Sequence, residues 1–494
     1  MKHIVRSPLF NFPMLAKVIG MLLIIESVFL AIPFAAALVY HEADAVPVGL
    51  TMAGTFLTGL VLARRIKPAH SRLSKRDGFL LTTLVWVTFS LFGMVPFIFS
   101  ETTPCSVTDA FFEAMSGFTT TGASTLGNLP GMSHSLLLWR AVMQWIGGLG
   151  IILSTLAVLP MLNTSGGMQM FNAEMTGITH DKIRPRISQT AKSLWAVYMA
   201  LTAVLAFLLW IGPMSFFDAL CTSFGTLSTG GYTSGISGMQ AMQHTYVKVV
   251  MTVFMFLGGV NFALLFRFLT GQPRQLIRND VFRIYVAFVL VMWVCFSVAG
   301  FFAEGYKGIE ALTLDPLFQV VAISTSTGIS LLPVAGWGGF TLMLTILMMF
   351  FGGCAGSTSG GAKIDRMVYL YKNTGNELYR CIYPNVVLPV QVGGRVASPQ
   401  LVGKVIAFLC IYVIVVLVGA SVLTIMDVPV TDAIFSCFSC ISNTGFGTEI
   451  TGLGGSYDLL PAAAKWVLSF IMLTGRLEIF SVLVLLMPAF WRRS

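Results

Sequence analysis

Charge is what this chain has least of. Asp, Glu, Lys and Arg make up only 10% of its 494 residues, whereas about a quarter is usual in soluble proteins. With 56% hydrophobic residues and a mean hydropathy of +0.82, a water-soluble domain is excluded and a lipid-solvated chain is indicated. Histidines are few (3, 41, 70, 134, 180 and 244), and their lack of ligand spacing gives no metal site. Of the eight cysteines, only Cys437 and Cys440 form a C-x-x-C, with no second pair nearby, so buried thiols are expected rather than a redox or metal pair. No nucleophile, base and orienting group cluster together, so no enzyme is expected. The net charge of +9 is spread in short blocks between apolar runs, as topology signals are, and implies no nucleic-acid partner.

Long apolar runs are abundant. About 20 apolar residues cross a hydrocarbon core, and on that criterion roughly ten spans are expected near 14–40, 46–63, 78–99, 135–160, 190–212, 245–269, 282–303, 337–352, 403–426 and 463–488. The first is too long for a signal-peptide core and is read as a spanning helix. Lys and Arg collect on one set of connections, including Arg64, Arg65, Arg184, Arg274, Arg380 and Arg492, which the positive-inside rule makes cytoplasmic together with both termini. Acids such as Glu42, Asp44, Glu310 and Asp458 fall on the other side, which suggests an acidic outer vestibule that concentrates cations.

Four segments interrupt the spans with one recurring pattern, an Asp followed by an apolar stretch and a Thr-Gly turn: Asp109 to Gly122, Asp218 to Gly230, Asp315 to Gly328 and Asp432 to Gly445. The Asp-to-Gly spacing is 13 residues in three copies and 12 in the second. Such recurrence marks one unit used four times. Segments too short to span must re-enter, and non-helical backbone at that depth is tolerated only where protein or water surrounds it. The expected fold is therefore an all-α polytopic membrane protein. Four pseudo-repeats of helix, re-entrant pore loop and helix (71–165, 185–270, 280–375 and 400–494) surround one central ion pathway, preceded by a pair of transmembrane helices in 1–70.

Each Asp is read as the cap of a short helix rather than as an ion ligand, leaving the negative carboxyl end of that helix aimed at the centre. The turns supply the ligands: Thr119, Thr120, Thr121 and Gly122; Leu227, Ser228, Thr229 and Gly230; Thr325, Ser326, Thr327 and Gly328; and Ser442, Asn443, Thr444 and Gly445. Their carbonyl and hydroxyl oxygens could replace the hydration shell of a cation, and a terminal Gly permits the backbone angles this needs.

On these four D…TG segments, the chain resembles the TrkH/KtrB/HKT superfamily of potassium transporters along essentially its whole length, and the extra N-terminal helix pair looks like the TrkH/TrkG branch. The resemblance implies potassium uptake across a bacterial inner membrane by a homodimer whose protomers each carry a pore. It also implies control by a TrkA-type cytosolic ring that binds nucleotide, with no tightly bound cofactor on the chain itself. It further implies that Gly at the key position of each loop accompanies potassium selectivity. Leu227 opposite Thr119, and Asn443 where other loops have Thr or Ser, suggest an asymmetric filter.

Two features read as gating machinery. Gly352, Gly353, Gly356, Ser357, Thr358, Ser359, Gly360 and Gly361 belong to a run of small residues that cannot remain a lipid-facing helix, and the run is expected to lie beneath the filter. Its glycines do not match a P-loop. Arg476 stands inside the last span, where a cation must face water or a partner. Its i+2 neighbour Glu478 is a poor helical mate, and the resemblance places this arginine in the pore beside the loop. Glu26, in the first span, lies outside the repeats and is expected to serve an inter-helix or dimer contact. Channel-like conduction is favoured over proton- or sodium-coupled symport because arginine, the main ionisable group on the route, does not deprotonate.

Overall fold

The computed structural model describes residues 10–66, 73–127, 131–148, 150, 187–304, 308–332, 334–393, 395–447 and 456–492. Arg184, both termini and the ends of repeat 1 and of the fourth expected span lie outside them. The described chain is mostly helical, with one two-stranded hairpin pairing Gln391–Val392 with Arg395–Val396. Among the described residues six helices are long and apolar enough to cross a membrane: Phe12–Val39, Ala45–Arg65, Lys75–Ile98, Ala191–Ile211, Asp280–Ala303 and Pro399–Ile425. The first two pack tightly as an antiparallel pair; a β-carbon on Gly20 would lie 2.6 Å from Leu62 Cβ.

Three of the expected spans are not simple helices. The sixth is two helices, Thr245–Gly258 and Phe262–Leu269, bent by 110°. The break is stable because the Asn261 side chain accepts hydrogen bonds from the Ala263 and Leu264 N–H groups, capping the new helix. The tenth is Ala462–Arg476 followed by Phe480–Leu486, with Glu478 and Ile479 at positive φ between them. The eighth is only the 13-residue helix Gly339–Phe351. After the glycine-rich run comes Ile364–Ile382, a helix with a polar face that the hydropathy reading leaves unassigned.

Four short helices, Val107–Phe118, Phe216–Leu227, Ile309–Ser324 and Val430–Ile441, carry the acid-led segments. At 1.5 Å per residue, the 12-residue members reach ~18 Å, short of the ~30 Å hydrocarbon core.

Candidate functional site

The Asp residues are not the caps. Ser106 and Ser215 are, accepting from the backbone N–H of Asp109 and Asp218 at 3.1 Å, while the two acids sit in the first turn and accept from the same serines. Asp432 also lies in a first turn, but Asp315 is internal to its helix, which begins at Ile309. Two of the acids instead bind a lysine of another unit. Lys465 donates to Asp109 and Lys248 to Asp315, both at 2.6 Å.

At the other end each short helix stops in the same way. The residue after the cap is left-handed at Thr120, Thr229 and Ser326 (φ 55°) and at Asn443 (φ 51°). In three copies the following N–H returns to the carbonyl five residues back, from Thr121 to Ser116, Gly230 to Gly225 and Thr444 to Ser439. This is the Schellman helix stop, which usually employs Gly at the left-handed position. Threonine there is strained, and such strain concentrates at functional sites.

The next positive-φ residues are Gly122, Gly231, Gly328 and Gly445. They correct the register of the second turn. Gly231, not Gly230, matches Gly122, so the Asp-to-Gly spacing is 13 residues in every copy. Leu227 is then the last helical residue, equivalent to Phe118, and Ser228 is the counterpart of Thr119. The doubled glycine of the second turn hid this, since sequence alone does not say which glycine carries the unusual φ.

These four glycines define a closed circle. A β-carbon built on Gly122 would lie 2.0 Å from the Gly230 carbonyl oxygen, on Gly231 1.8 Å from that of Thr327, on Gly328 1.8 Å from that of Thr444, and on Gly445 2.2 Å from that of Thr121. Each turn touches the next in chain order and the fourth touches the first. No side chain larger than hydrogen fits at any of the four. Above the circle opens a cavity of about 370 Å³ bordered by all four glycines, Arg140 and Tyr232. No Asp or Glu appears among its described lining residues.

Around the circle the polar supports differ. Hydroxyl pairs brace three turns, Thr119 with Thr121 at 2.8 Å, Thr325 with Thr327 at 2.9 Å and Ser442 with Thr444 at 2.8 Å. The Asn443 amide donates to Thr121 Oγ1 and to the Met472 carbonyl, both at 3.0 Å. Sequence reading missed the buried ion pair of Arg140 Nε with Glu113 Oε1 at 2.6 Å, in which Glu113 also accepts from Ser124 and the Thr125 N–H. It also missed Gln144. A charged or amide residue inside an otherwise apolar helix was the available signal.

The glycine-rich run lies directly below. Gly360 N–H donates to Ser326 Oγ at 2.6 Å, and a β-carbon on Gly360 would lie 1.9 Å from the Ser442 carbonyl. Thr358 Oγ1 is 3.1 Å from the Leu227 carbonyl. Within the run, Gly353 N–H donates to Ser359 Oγ and Ser357 Oγ to the Cys354 carbonyl, while Gly352, Gly356 and Gly361 take positive φ. Arg476 Nη1 donates to the Thr358 carbonyl at 3.0 Å, and Nη2 to the carbonyls of Gly147 and Gly148. Glu478 pairs with Arg366. Glu26 is buried in its helix, apart from this assembly. Among the described residues no group of three potential metal ligands occurs, and Cys437 and Cys440 are free thiols.

Away from the turns, Asp44 ties the first helix pair to the rest of the protein. Burial alone would raise its carboxyl, but hydrogen bonds from Ser133, Thr102, the Glu101 N–H and Ser100 outweigh this and hold it below the ordinary carboxylate value.

A family model described as TrkH, a cation transport protein, matches residues 51–493. The Trk system potassium uptake protein TrkH of Escherichia coli K12 is 35% identical over 488 residues, 98% of this chain and 100% of that one. TrkG of the same organism is 29% identical over 477 residues, covering 96% and 97%. The crystal structure of the potassium transporter TrkH from Vibrio parahaemolyticus superposes with a TM-score of 0.87 at 32% identity, covering 98% of this chain and 100% of that one.

Proposed function

Because this chain belongs to the TrkH family of cation transport proteins, we propose that it takes up potassium across the bacterial inner membrane by channel-like conduction through the centre of the four turns. The closed circle of glycine-to-carbonyl contacts under the outer cavity carries this reading. A dehydrated cation needs several oxygens converging from all sides, and four turns in mutual contact supply them as a unit. Each of the four short helices ends in one of these turns, so their carboxyl ends converge on the circle and add negative potential where the ion sheds water.

On this reading, four units of helix, re-entrant loop and helix form the pathway, and the basic connections and both termini face the cytoplasm. The run Gly352–361 is the gate. Thr358 and Gly360 latch it to the ends of the short helices and their turns, and Arg476 ties it to the carbonyls of Gly147 and Gly148, so conduction requires those hydrogen bonds to break. A TrkA-type nucleotide-binding ring on the cytoplasmic side drives that equilibrium by holding open and closed forms unequally, and the working unit is a homodimer. Reversal potentials of purified protein in liposomes under crossed potassium, sodium and proton gradients test the reading. A potential that tracks only the potassium gradient supports it; one that also tracks protons or sodium with fixed stoichiometry means coupled symport instead.

A further inference from the structure

In the second turn Gly230 stands where the others have Thr121, Thr327 and Thr444, so it has no hydroxyl to pair with Ser228. The Gln144 side chain fills that space. Its Nε2 donates to the Gly230 carbonyl at 2.7 Å and its Oε1 accepts from the Tyr232 N–H at 3.0 Å. A β-carbon on Gly230 would lie 2.5 Å from Gln144 Cδ. Among the described residues, the Gly230 carbonyl is the only one of the four equivalent carbonyls that receives a hydrogen bond. Gln144 lies three residues before Gly147, and the matching positions before Gly258 and Gly475 are Met255 and Met472, which cannot donate.

We propose that Gln144 is a positioning residue for ion selectivity. It acts through the Gly230 carbonyl, fixing its direction and occupying one of its lone pairs, and so makes the second turn the stiff, weaker-field side of the circle. The inference rests on the reading of the four turns as a potassium pathway. Field strength and rigidity of the coordinating carbonyls both enter potassium-over-sodium discrimination, so releasing this one carbonyl lowers discrimination without closing the path.

The test uses full-length protein in liposomes, with the potassium-to-sodium permeability ratio taken from reversal potentials. Gln144→Met gives a side chain of similar length without the amide. The expected result is potassium flux close to wild type with a ratio lower by about tenfold, the scale of one lost hydrogen bond. The double variant Gln144→Ala/Gly230→Thr rebuilds the hydroxyl pair of the other turns and is expected to recover most of the ratio lost in Gln144→Ala. A residue that merely packs would lower yield or thermal stability and leave the ratio alone, as Trp145→Phe should. An unchanged ratio in folded Gln144→Met overturns the proposal. Should that variant fail to reconstitute, Gln144→Ala decides, because a wild-type ratio there overturns it equally. Wild-type protein without potassium preference would defeat the pathway reading itself, before any variant is compared.

Discussion

Replacing Gly122 by Ser puts the circle of turns under a known load. The new β-carbon would start 2.0 Å from the Gly230 carbonyl oxygen, and real β-carbons essentially never come within 3.0 Å of a heavy atom outside their own residue and its chain neighbours, so the first and second turns must separate. The backbone at φ 81° adds a left-handed cost of about 1–2 kcal/mol for a residue with a side chain. Either the Gly230 carbonyl swings aside or Gly122 leaves its φ. On the proposed reading of the circle as a potassium pathway, both remove one oxygen from a shared coordination shell. If that costs potassium about 1.4 kcal/mol more than sodium, the permeability ratio falls about tenfold, and a bi-ionic reversal potential shifts by about 59 mV for a univalent ion. Gly445→Ser should act in the same direction, because its β-carbon would meet the Thr121 carbonyl at 2.2 Å. Gly375→Ser, where nothing lies within 4 Å, should leave the ratio untouched. The reasoning is refuted if Gly122→Ser protein of wild-type stability and flux keeps the wild-type ratio.

Arg476→Gln removes the charged donors that hold Thr358, Gly147 and Gly148. Hydrogen bonds to charged groups are worth about 1.5–3 kcal/mol, so basal rubidium flux into liposomes should rise roughly tenfold or more; unaltered flux at normal yield would mean the arginine is only structural. Deleting a few residues within Gly352–361 should give flux that no longer needs the cytosolic ring or its nucleotide, which flux assays with and without the ring decide. Asp44→Ala should lower thermal stability at neutral pH by about 1–3 kcal/mol. The folded carboxyl of Asp44 lies below its unfolded value, so its contribution is complete above about pH 4 and is lost as pH falls through the lowered value. The gap between variant and wild type should therefore close in acid; a gap that stays constant with pH would exclude the hydrogen-bonded carboxylate as its source.

Much of the site was legible because recurrence survives even when geometry does not. The four D…TG segments, the glycine-rich run and Arg476 stand out as departures from apolar monotony, and the structure brings them together. What stayed hidden depends on backbone angles and on distant partners. In Ser228-Thr229-Gly230-Gly231, hydropathy cannot choose between two glycines. The breaks at Gly259–Asn261 and Leu477–Ile479 contain no proline, and apolar residues on both sides read as one continuous span. Asp109 resembled a helix cap because short-range logic favours one, while Ser106, three residues earlier, takes that place and frees the acid for Lys465. Gln144 bonds to a turn 86 residues away, a pairing that no local pattern encodes.

The order in which the circle closes bears on how such a chain is made. Gly445 packs on the Thr121 carbonyl and Lys465 binds Asp109 across 356 residues, so the first turn receives its last neighbour from the far end of the polypeptide. A ribosome that has released only three turns has built an arc whose open flank lacks both that backbone seal and that ion pair. Completion waits for the final stretch of translation. If the circle is the ion pathway proposed above, that route exists only once the fourth turn has met the first.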